Sequence, residues 1–151
     1  MKVKLISMLL LLLLLPTITI ANATPKGTAP FYYIGTNIVV DAAWQHTADD
    51  NQYIMKYTET ADLTTDGYVH AGTIMFDVVL IAKMDTGKAT AFGKFVINLD
   101  SGEKIEGTMS GKINIYANQP DIKFVGHGDI HVQGILSGSQ LGGFILDGYS
   151  W

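Results

Sequence analysis

The sharpest chemical pattern in the chain is a row of four polar side chains at alternate positions, His127, Asp129, His131 and Gln133. Two histidines at i and i+2 on a strand share one side of it and can hold one metal ion between them. The intervening aspartate would then be a third ligand or would orient a histidine from behind. Against that, Gly126, Gly128, Ile130 and Val132 take the opposite face, so the polar row reads first as the water-facing side of a strand. The pairing expected from the next turn upstream sets Ser110 opposite Asp129, Thr108 opposite His131 and Lys112 opposite His127, and a lysine opposes a bound cation.

The second candidate is Glu59, which falls between Tyr57 and Ala61 on the otherwise apolar face of its segment. A carboxyl in such a place is rare unless it is paired or functional. Loss of water raises its proton affinity toward the range useful for general acid or base work. The same alternation sends Tyr53, Tyr57, Trp44, His46 and His70 to Glu59's side, where together they would line a pocket with a polar floor. The plainer alternative is that Glu59 sits near a rim and reaches water. Three functions follow, in order of preference. The first is a domain that binds a small apolar or amphipathic ligand, or serves as a surface interaction module. The second is an isomerase or cyclase of lipophilic substrates using Glu59 as general acid or base. The third is a metal-binding protein working through His127, Asp129 and His131.

What must position these residues is a sheet. From residue 36 onward apolar side chains recur with a period of two, over 36–46, 52–64, 68–84, 89–99, 105–115, 124–134 and 143–151. No stretch carries the 3.6-residue period of a helix. Turn residues stand where the alternation resets, at Asp66 and Gly67, Asp85 to Gly87, Asp100 to Gly102, and Asn118 to Asp121. A two-residue turn at the first would set Tyr57 opposite Phe76 and Tyr53 opposite Leu80. A three-residue turn at Asp100 would set Ile97 opposite Ile105 and Phe95 opposite Gly107. A four-residue loop from Asn118 would set Ile115 opposite Phe124 and Ile113 opposite Gly126. All three pairings keep one apolar face together, as a half-buried sheet requires.

Strands this long, with Gly93, Gly107, Gly111, Gly126, Gly128 and Gly134 on their apolar side, have what a small sheet needs to bend and close. The expectation is an all-β antiparallel up-and-down meander of seven to eight strands forming a closed or nearly closed barrel, with a β-sandwich as the alternative. The eighth strand would come from residues 31–34 or from a break near Ala71 and Gly72. At the level of fold alone the pattern resembles the calycin and allene oxide cyclase type of barrel, although no diagnostic motif of either covers the chain.

Composition narrows the partners. Lys2 and Lys4, the apolar run from Leu5 to Leu15, Pro16, and the small residues around Ala21 and Ala23 have the form of a signal peptide over 1–23. A flexible leader over 24–30 and one barrel domain over 31–151 follow. An uncleaved anchor is the alternative reading of the apolar run. The expected destination is therefore outside the cell, at its surface or in a periplasm. Beyond residue 23 the chain has eight lysines, no arginine and 14 acidic residues, a net charge of −6 that argues against nucleic acid. It has no cysteine, so stability rests on strand pairing and burial. No cofactor motif is present, since the Gly-x-Gly steps lie inside strands rather than between a strand and a helix. The terminal Trp151 is a feature of membrane barrels, but Asp147 shares its face and no membrane span is expected beyond the signal segment. A free edge between first and last strands would favour a homo-oligomer.

Overall fold

The computed structural model describes residues 28–47, 51–114, 119–139 and 143–151; the expected signal peptide and residues 24–27 of the expected leader lie outside them. Eight strands follow in chain order: β1 (Ala29–Thr47), β2 (Gln52–Thr64), β3 (His70–Lys83), β4 (Lys88–Leu99), β5 (Lys104–Asn114), β6 (Gln119–Gly128), β7 (Val132–Ser139) and β8 (Gly143–Ser150). Each runs antiparallel to the next, and β8 returns to β1 to close the barrel. The described residues contain no helix.

The alternation does what the sequence predicts. Phe76, Val78, Leu80, Ile97, Ile105, Phe124 and Leu146 point inward and are buried, while the residues between them carry the charges outside. Phenylalanines fill much of the interior. Phe76 meets Phe144 edge-on with ring centroids 5.2 Å apart, and Phe95 meets Phe124 likewise at 6.1 Å, geometries in which a ring's positive edge faces a negative face. Two glycines make room for these rings. A Cβ on Gly107 would overlap the Phe95 ring and one on Gly35 would overlap Phe144, so close packing depends on their missing side chains.

Two of the three expected registers are corrected. The Asp100 turn pairs Ile97 with Ile105 and Phe95 with Gly107, as predicted. The first turn is longer than two residues: Asp66 accepts hydrogen bonds from the backbone N–H groups of Tyr68 and Val69 at 2.9 and 2.8 Å, Gly67 takes φ 88°, and a bulge follows Leu63. Tyr57 consequently pairs with Val78, Tyr53 with Ala82 and Glu59 with Phe76. The third loop comes earlier than Asn118, so that Asn114 pairs with Gln119, Met109 with Phe124 and Gly107 with Gly126. Facing glycines there leave the space that the Phe95 ring occupies.

The eighth strand arises where none was expected. The predicted strand over 124–134 is broken into β6 and β7 at Gly128, whose φ is 154° and beside which Asp129 holds Lys104 by two bonds. The Asp129 N–H donates to the Lys104 carbonyl at 3.0 Å, and the Asp129 carboxylate accepts from the Lys104 N–H at 2.8 Å. Residues 31–34 are instead the front of β1, which starts at Ala29, two residues inside the expected leader. Gly72 bends β3 without ending it.

Candidate functional site

The long first strand sets the geometry around Glu59. Its front, Ala29 to Gly35, pairs with β8, the last pair being Gly35 with Phe144. From Thr36 to Thr47 it pairs with β2, and no described residue pairs with its other side. Glu59 lies opposite Val40 of β1 and Phe76 of β3, a few residues past the point where β8 stops covering the barrel.

Glu59 is 5% exposed. Among the described residues no donor reaches its carboxyl, and burial raises its pKa to about 7. Tyr57, two residues away on the same face, has its hydroxyl pKa raised by burial and further by the charge of Glu59. Around this pair the inner wall is unevenly covered. Val78 and Leu80 are buried, whereas Val40, Tyr53 and Tyr57 are half-buried, and Ala43 and Gln45, opposite Tyr57 and Met55, are exposed. A carboxyl near half-protonation at neutral pH, set beside Tyr57 and among apolar side chains, can exchange a proton or pair with a ligand's polar end.

Of the pocket residues expected from sequence, the structure brings Tyr53 and Tyr57 to the inner face with Glu59 and leaves the other three outside. Trp44 pairs with Lys56 and His46 with Ile54, both positions on the outer face, where the two rings stack with centroids 5.8 Å apart. The cause is a pair of bulges in β1, one between Thr36 and Val39 with Asn37 at φ 51°, the other between Val40 and Ala42. Each adds a residue and reverses which parity points inward, so the even phase read from sequence holds at Val40 and fails at Trp44 and His46. His70 lies at the opposite end of the barrel. It is exposed, with Nδ1 2.8 Å from the Asp100 carboxylate and Nε2 3.7 Å from Asp62, and the bond to Asp100 leads in raising its pKa.

The histidine row is not assembled as a metal centre. His127, next to last in β6, lies opposite Glu106, Asp129 lies in the turn with its carboxylate on the Lys104 N–H, and His131 stacks on Trp151 at 5.8 Å while exchanging two backbone hydrogen bonds with it. Among the described residues no three His, Cys, Asp or Glu side chains are placed to hold a metal ion. The expected neighbours of the row are corrected by the same register change, since Ser110 pairs with Lys123, Thr108 with Val125 and Lys112 with Asp121.

Sequence reasoning missed the inward positions of Ala43 and Gln45. One signal was available: Ile38 to Val40 and Ala42 to Trp44 are triplets of consecutive apolar residues, which a regular alternation does not produce and a bulge does. No protein-family model matches the chain, nor does any curated protein or solved structure compared with it.

Proposed function

We propose that the chain is an exported barrel that takes up a small amphipathic ligand in the half of its interior left uncovered by β8, with Glu59 as the polar contact. The observation that carries this is the Glu59 carboxyl itself, buried between Val40 and Phe76 with no donor among the described residues. Loss of water disfavours the ionised carboxyl and raises its pKa to about 7, and a ligand whose polar end bonds to it offsets part of that desolvation on binding. Eight strands enclose an interior that either its own side chains or one small ligand can fill. Here the phenylalanines do the first around Phe144, while half-buried Tyr53, Tyr57 and Val40 leave an apolar wall for the second. Charged residues cross the outside, with Lys56 4.0 Å from Asp77, which supports a water-facing exterior.

Amide chemical shifts during titration with decanol test the reading. Changes are expected at Val40, Ala43, Tyr53, Tyr57 and Glu59. Changes confined to the outer face around Trp44 and Phe92, or none, would remove it. The proton affinity of Glu59 near neutrality also favours a second reading, an isomerase or cyclase in which it moves a proton on a lipophilic substrate. Under that reading Glu59→Gln abolishes turnover while leaving substrate binding in place.

A further inference from the structure

Resting on that reading, we propose that the polar end of the ligand is a monocation, an alkyl or aryl amine, which forms an ion pair with the Glu59 carboxylate. The buried polar and charged side chains among the described residues are Glu59 and Thr64, and Thr64 is already committed, donating to the Ile34 carbonyl at 3.0 Å. Among the described residues no cationic side chain stands beside the Glu59 carboxyl, which is ionised only above its raised pKa.

Among the described residues, the elements packed against Glu59 supply nothing to neutralise it. On β1 its partner is Val40, and on β3 it is Phe76. The titratable groups sharing its inner face on β2 are the hydroxyls of Tyr57 and Tyr53. The nearest lysine on its own strand, Lys56, lies on the outer face with Asp77 of β3. Asp41, in the second β1 bulge, is exposed and carries the same sign as Glu59.

Three kinds of ligand head can be compared on these terms. A carboxylate would place a second negative charge beside the first and would need an added proton. An alcohol could donate one hydrogen bond but would leave the buried charge without a counter-ion. An amine both donates and neutralises, and an ion pair within a partly desolvated wall is stronger than the same pair in water. The apolar tail would lie along Val40, Ala43 and Tyr53.

Decylamine, decanol and decanoate, titrated into the full-length protein by calorimetry at pH 8 and pH 5.5, separate the possibilities. Decylamine is expected to bind at least about tenfold more tightly than decanol at pH 8, with decanoate weakest. The amine's advantage should shrink at pH 5.5, where Glu59 is protonated, and vanish in Glu59→Gln, a variant whose folding is checked by its strand circular dichroism. Equal binding of decylamine and decanol, or an amine advantage that survives Glu59→Gln, overturns the cation inference and leaves the ligand-binding reading standing. Failure of all three probes to bind overturns both.

Discussion

The two halves of the barrel obey the same alternation and end up differently. Around the β1–β8 seam, Phe31 packs against Phe124 and Phe76 against Phe144, and all four rings are buried. Past Gly35 the inner wall of β1 and β2 carries Val40, Ala43, Gln45, Tyr53 and Tyr57 with only partial cover around the buried Glu59. The difference lies in strand length: β1 has 19 residues, and β7 and β8 have 8 each. A pattern that repeats perfectly along each strand still yields a packed core only where strands on all sides are long enough to complete the wall.

The contrast is most exposed to test at Phe144, which is fully buried and covers Gly35. Phe144→Ala should cost about 3–5 kcal/mol in chemical denaturation, the range for emptying a packed aromatic site. A loss below about 1 kcal/mol would mean that the seam is no better filled than the open half.

Next in size is the pH dependence at Glu59. Its folded pKa of about 7 lies above the ordinary 4.5, so between those values the folded chain holds more protons than the unfolded one, and stability falls as pH rises through that window. The loss attributable to this group is up to about 3 kcal/mol by pH 8, and nothing below pH 4.5. Glu59→Gln should abolish that part of the slope in melts taken from pH 4 to pH 8. An unchanged slope would place the carboxyl in water and end the distinction between the halves.

The smallest effect is expected at Trp44, whose ring lies 58% exposed on the outer face. Trp44→Ala should change stability by no more than about 0.5 kcal/mol and leave decanol binding as it was. A large loss of binding would return Trp44 to the pocket and contradict the bulges in β1.

Much of the fold was legible because side-chain alternation records parity and little else. The first hairpin register was displaced by two residues and the third by six, both even, so every apolar side chain kept its face although its partner changed. The same property hid the break at Gly128. Gly126 pairs with Val132 across an odd number of intervening residues, so the polar row from His127 to Gln133 runs through the turn without a reset. Glu59, Tyr53 and Tyr57 were legible as one face of β2 for the same reason. Trp44 and His46 were misplaced because two bulges each reversed the parity of β1, and His70 because the bulge after Leu63 and the ties to Asp62 and Asp100 turn it outward. That β8 stops short of Glu59 depends on where two strands end relative to each other, which no single segment encodes.

The stretch of β1 with one neighbour among the described residues has a further consequence for how the protein survives at high concentration. A straight strand with an unused row of amide and carbonyl groups is a template on which identical chains stack into fibres. Here the row is uneven: Asn37 turns to φ 51°, and a second irregularity between Val40 and Ala42 carries the exposed Asp41. An incoming copy finds no continuous comb to grip and meets a like charge of its own, so the irregularities that misdirect Trp44 also guard the chain against self-templated polymerisation.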